Sequence, residues 1–424
     1  MSTLRILKRI LLILGMVLLG PLLLLGLLLG VILSFSFLSG FTAAMIFLPG
    51  MALYVFGFCL PFGLIQWRRM ARGQSSSPFR LPGVAWLGAG AVVAIAVGQI
   101  MLATHTYDFY WLIYVLAAAL PSLTALALAN QRLGNLTTWR RIIASLIAGS
   151  LLSPLIALFL TGIVTVLAVV LVLPLRVLVA QIVASKDVEQ LFYSPALVFM
   201  LVESAIVAPL VEEAAKPVAA ILLARRFQRP AEAFLVGMAG GAGFAIVENM
   251  LYAAAGESAW AHISALRGVG GVLHPLTAGL VAVGWYGVRN GLPGARGRLL
   301  GFYGVAVGAH ALWNGGLGIL YSNLGAYFFG TETWQFNIYG IGQPGIVMVF
   351  MLLEAIALWR VLAVVTGQLA GTTLSEAEPF LELHLDQPRR LALWASAALL
   401  LVVPIAALYG PLVERYLKIA MPIR

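Results

Sequence analysis

The sequence predicts an all-α, polytopic membrane protein: a bundle of about eleven transmembrane helices with its N-terminus in the cytoplasm. Three observations carry this reading. The mean hydropathy is +1.00, with 62% of the 424 residues hydrophobic and only 10% charged, an apolar excess that a soluble domain has no interior to bury. Apolar runs long enough for a helix of about 20 residues, the length that crosses a bilayer, recur along the whole chain. The basic residues lie between those runs in pairs and triplets, and assigning alternate loops to opposite sides puts 18 of the 26 on one side and six on the other. That asymmetry marks the richer side as cytoplasmic.

In chain order, residues 10–67 contain no charge and have room for two crossings, near 10–34 and 38–66. Arg5, Lys8 and Arg9 precede them as in a signal peptide, but the run is far longer than a cleavable apolar core of about 7–15 residues, so an uncleaved first helix is expected. A basic, Ser-rich loop follows around Arg68, Arg69, Arg72 and Arg80. Helices are then expected at 83–104 and 110–130, with one long or tilted span within 142–175 and a surface segment over 176–194. A span carrying Glu212 and Glu213 runs to Arg225 and Arg226, and further helices fall near 231–254, 268–287, 299–322, 344–366 and 391–410. A partly acidic linker at 366–390 separates the last two. Three regions result: N-terminal helices and the surface segment (1–194), a core of four helices (195–322), and a C-terminal pair with its linker (323–424).

The net charge of +10 does not point to nucleic acid, because the basic residues form no single face or stripe. The lone Cys59 sits in an apolar run and reads as a small buried hydrophobe, with no disulfide framework or thiolate metal site. No inverted duplication of the kind found in transporters is visible.

The informative residues are the ionisable ones inside the spans, each of which costs about 2.5–3.5 kcal/mol at the bilayer centre even on lenient scales and therefore needs a reason to be there. Glu203, Glu212, Glu213, Glu248 and Glu354 are the acids so placed. On a helix, Lys216 lies within a turn of both Glu212 and Glu213 and can neutralise one of them. Glu248-Asn249 lies one turn after Phe244 on a Gly-rich helix able to approach its neighbours closely. His274-Pro275 lies on the next helix, and His310 and Asn314 share one face of the one after that. With a rise of about 1.5 Å per residue from each expected midpoint, Glu212, Glu248, His274 and His310 fall within a slab about 12 Å thick. They can therefore line one polar pocket. Glu354 and Arg360 are expected to be structural, and His105, His262 and His384 to be solvated in loops.

Such a set suits water activation: a glutamate as general base, with His310 and Asn314 as donors to a developing oxyanion. A zinc site at Glu248, His274 and His310 is the metal alternative, two nitrogens and an oxygen leaving a position for water. The ordered pattern Glu212-Glu213-x-x-Lys216, Phe244-x-x-x-Glu248-Asn249 with Tyr252, His274, and His310-x-x-x-Asn314 resembles the PrsW family of intramembrane proteases, which is distantly similar to the CAAX-processing membrane proteases. The resemblance implies an intramembrane endopeptidase of the cell membrane acting on membrane-anchored proteins. Carried over, Glu212 and Glu213 are the essential acids, Glu248 holds the second-motif position, and His274 and His310 hold the histidine positions. The CAAX-processing relatives have histidine where this chain has Glu248. Two other readings compete: a proton- or cation-coupled carrier using the same acids, and a non-catalytic scaffold that keeps the polar cluster for packing.

Overall fold

The computed structural model describes residues 40–104, 109–164, 202–256, 259–320, 335–338 and 341–370. The spans expected at 10–34 and 391–410, the surface segment at 176–194, most of the linker at 366–390, His105 and His384 lie outside these residues.

The described chain is a bundle of helices. Helix α1 begins as Gly40–Ala52, passes through a π-helical stretch at Leu53–Cys59 and continues as Leu60–Ala71. It is followed by α2 (Val84–Ala103), α3 (Tyr110–Arg132) and α4 (Trp139–Val164), the last carrying a π-helical turn at Ala148–Leu152. Next come two short pieces, α5 (Ala208–Ala215) and α6 (Val218–Leu223), then the long α7 (Pro230–Ala255). Helices α8 (Trp260–Val269) and α9 (Leu273–Arg289) form a pair bent by 40°, and α10 (Ala295–Leu320) and α11 (Gly345–Ala370) complete the set. A small antiparallel hairpin, β1 (Gln335–Ile338) with β2 (Ile341–Pro344), precedes α11. Among the described residues, six helices are long and apolar enough to cross a membrane, or seven if the bent pair is one span. The protein is a multi-pass membrane protein.

Helix α7 is the centre of the bundle: 89% of its apolar stretch is buried, against 17–56% for the other five helices long and apolar enough to cross a membrane. Small residues make this possible. A Cβ on Gly241 would come within 2.0 Å of the His274 carbonyl oxygen, and one on Gly240 within 2.5 Å of the Lys216 carbonyl oxygen, so both neighbouring backbones approach through positions where only glycine leaves room. Hydroxyls from α4 bind the same helix. Ser145 donates to the Val236 carbonyl at 2.6 Å and Ser150 to that of Gly243 at 3.1 Å. On the other side, Asn249 donates to the Ala118 carbonyl of α3 at 3.0 Å. In a medium without water these bonds hold the bundle in register where apolar packing alone would let helices slide.

The expected continuous helix through Glu212 and Lys216 is broken. A π-helical segment at Glu203–Val207 leads into α5, the chain turns at Lys216 and Pro217, and α6 ends in a 3₁₀ turn at Ala224–Arg226. Pro217 is the cause: it has no N–H to give the Glu213 carbonyl and its ring crowds that carbonyl. The Ala215 carbonyl freed beside the break accepts a bond from Ser153 at 2.9 Å. The span expected at 268–287 instead begins at Leu273, after a bend at Gly270 and Gly271, where a Cβ would strike Trp313 and Pro121 respectively. Pro275 then falls in the first turn of α9, where its missing N–H costs no helical bond and does not loosen the ladder.

The arginine-bearing helix ends meet on one face. Arg141 pairs with Glu232 at 2.6 Å and donates to the Arg226 carbonyl, Arg140 donates to the Gln74 carbonyl, and Asn290 to that of Ala224. Cys59 is buried.

Candidate active site

The break at Lys216-Pro217 lets Lys216 turn inward to the middle of the bundle. Its side chain is fully buried, and its ammonium lies 2.7 Å from Glu213 Oε1, 3.2 Å from Glu212 Oε2 and 2.8 Å from His274 Nδ1. The Phe244 ring closes the cage, its centroid 4.6 Å from Nζ. Phe244 comes from α7 and His274 from the first turn of α9.

His310, from α10, stands across from His274 with ring centroids 5.0 Å apart. Its Nδ1 lies 2.8 Å from Glu213 Oε1 and its Nε2 3.0 Å from Asn314 Nδ2. These partners assign the proton: Nδ1–H donates to the carboxylate and Nε2 accepts from the amide. Asn314 also donates to the Ser204 carbonyl at 3.1 Å, tying α10 to the π-helical segment. Its amide, expected as an oxyanion donor, is here engaged in holding His310.

His274 is oriented in the same manner by a different carboxylate. Its Nε2 lies 2.7 Å from Glu248 Oε2, which leaves Nδ1 to accept from Lys216. Glu248 is itself held by Arg267, whose Nη2 is 2.8 Å from the same oxygen. Arg267 Nε donates to Asn249 Oδ1 at 2.7 Å, and its guanidinium stacks on Tyr252 at 4.3 Å. Each histidine therefore has one nitrogen fixed by a carboxylate and the other accepting a hydrogen bond, His274 Nδ1 from the Lys216 ammonium and His310 Nε2 from the Asn314 amide; a carboxylate on one ring nitrogen is also how metal-ligating imidazoles are oriented.

The two adjacent glutamates are not equivalent. Glu213 is fully buried and paired, whereas the Glu212 side chain keeps 16% of its surface and stands on the accessible side of the cage. Glu212, His274 and His310 can place one ligand atom each within 4.8 Å of one another, which makes them the candidate metal set among the described residues. Glu248, expected from sequence as a ligand beside the two histidines, is bound to Arg267 and to His274.

The structure thus brings together every residue singled out in the sequence: Glu212, Glu213, Lys216, Glu248, Asn249, His274, His310 and Asn314. Arg267 was not among them, since a lone arginine in an expected loop reads as a topology signal. Its position seven residues before His274, on the side poor in basic residues, was the available clue. His262, expected in a solvated loop, is instead buried at 3% exposure on α8, whose helical face turns it into the bundle. Glu354 is buried on α11, and both its oxygens lack hydrogen-bond partners among the described residues.

A helical membrane bundle that encloses acids and histidines around a reachable glutamate has the groups that hydrolysis within a membrane needs. Residues 137–353, a little over half of the chain, match the family described as PrsW family intramembrane metalloprotease. The chain belongs to this family and is an intramembrane endopeptidase. The match decides against the carrier reading and includes α4 as well as the helices of the motifs. No curated protein matches the chain, and no solved structure does.

Proposed function

We propose that Glu212, His274 and His310 form the water-activating centre, with Glu213, Glu248, Asn314, Lys216, Asn249 and Arg267 holding it in shape. One observation carries the assignment: Glu212 is the acid of the adjacent pair that faces the accessible side while lying within ligand distance of both imidazoles. Its Oε2 lies 3.2 Å from the Lys216 ammonium, leaving Oε1 for a proton. As general base, Glu212 takes a proton from water as the water oxygen bonds to the scissile carbonyl carbon. It returns that proton to the departing amine as the C–N bond breaks.

The donor set fits a divalent metal ion, for which we favour zinc: two imidazole nitrogens and a carboxylate oxygen, with Lys216 and Asn314 releasing the nitrogens to the ion. When bound, such an ion acidifies water and polarises a carbonyl. The protein's part is orientation: Glu213 fixes His310, and Glu248, braced by Arg267, fixes His274. The substrates are membrane-embedded proteins, and we assign them to membrane-anchored chains of the cell membrane, with the arginine-bearing face of the bundle in the cytoplasm.

Metal analysis of purified protein, together with cleavage of a single-pass model substrate, tests this. We expect about one zinc per chain, loss of cleavage on chelation with recovery on adding zinc, and loss of the metal in His274→Ala and His310→Ala. Full activity in metal-free protein would remove the ion and leave a glutamate–histidine mechanism.

A further inference from the structure

Every turnover consumes a water, and the inner part of the cage is closed off: Glu213, Lys216 and His310 show no exposed surface, and only Glu212 reaches the accessible side. Bordering His274 lies a second polar space. It is a cavity with about 10 Å³ of room for water centres, enough for one molecule, lined by Ser122, Asn249, Arg267 and His274 among apolar walls that include Ala245 and Trp313. Ser122, on α3, is fully buried, and its hydroxyl has no hydrogen-bond partner among the described residues. The cavity sits at the bend between α8 and α9, where Gly270 and Gly271 also line it and no side chain fills the space.

We propose that Ser122, Arg267 and Asn249 bind a water here and that this site supplies the catalytic centre, a reading that rests on the peptidase assignment above. The chemistry of the walls suits water specifically. A buried hydroxyl can both donate and accept, the guanidinium and amide offer further N–H groups, and a buried water needs two to four such partners. The space is too small for a substrate side chain and too polar to remain dry. His274 borders both the cavity and the cage, so a water held by Ser122 is one side chain away from Glu212.

Two variants at one position separate this from a structural role. Ser122→Val fills the space with methyl groups, whereas Ser122→Ala removes one anchor and keeps the room. Filling should lower kcat about tenfold with KM within about twofold, and truncation should change kcat less than about threefold, consistent with the modest energy of one ordered water. Wild-type kcat in a folded Ser122→Val would overturn the proposal, because water would then arrive from the side of Glu212. If Ser122→Val fails to fold, an experimental map of the wild-type protein that resolves waters decides: density within hydrogen-bond distance of Ser122 Oγ supports the site, and a dry or collapsed cavity overturns it. Glu212→Gln, assayed in parallel, keeps the questions apart, since its inactivity beside a fully active Ser122→Val would reject only the water site.

Discussion

Glu213 and Glu354 are both buried glutamates in the interior of this bundle, at 0% and 2% exposure, and their surroundings differ in kind. Glu213 receives Lys216 and His310 at 2.7 and 2.8 Å, and through them it is connected to residues from four helices. Glu354 lies among apolar residues of α11, with no hydrogen-bond partner among the described residues for either oxygen. Burial alone therefore does not mark a site in a membrane. What marks it is convergence, where several elements each bring an ionisable group to the same few ångströms and each charge answers another. An ionisable group removed from the first environment leaves charges stranded, whereas one removed from the second leaves nothing behind.

The sharpest way to break that contrast is Lys216→Met. It strands Glu213 and Glu212 without their cation, and removing one partner of a buried ion pair typically costs about 3–5 kcal/mol. We expect a large drop in thermal stability together with loss of cleavage, read by unfolding in detergent; a variant as stable as the wild type would mean that the cage is not held by charge. Arg267→Gln should have a smaller effect. It leaves Glu248 in place but without its brace, and loss of a residue that orients a ligand's partner costs about 10–100-fold. That loss should appear in kcat or metal affinity, with stability little changed; normal values of both would show that Glu248 needs no help. The smallest effect is expected at Glu354→Gln, which removes a carboxylate that answers no other charge. Cleavage should stay within about twofold, and a large loss would place α11 in the mechanism.

Much of this arrangement was legible in the sequence, and the omissions have physical reasons. Polar residues inside apolar runs announce themselves by their cost, so Glu212, Glu213, Glu248, His274 and His310 could be identified, and helical rise sufficed to place them at one depth. Spans such as Val84–Ala103 and Pro230–Ala255 lie within a residue or two of where hydropathy put them. The break at Pro217 was not read, because the apolar pattern continues across it and the consequence of the missing N–H depends on Ser153 and Gly240 being there to receive the bent backbone. Nor was the setting of Glu248, since nothing in one-dimensional spacing reveals that Arg267, just before an expected span, folds back to pair with it. The burial of His262 escaped for a similar reason, since α8 is a short helix in a place where a loop was expected.

The central claim is that Glu212 performs the proton transfer. Glu212→Gln keeps the size of the side chain and leaves Lys216 paired with Glu213, so the protein should fold and unfold as the wild type does. Its cleavage of a single-pass substrate should fall by about 10²-fold or more, the scale for removing a general base. A folded Glu212→Gln protein that cleaves at the wild-type rate would contradict the account.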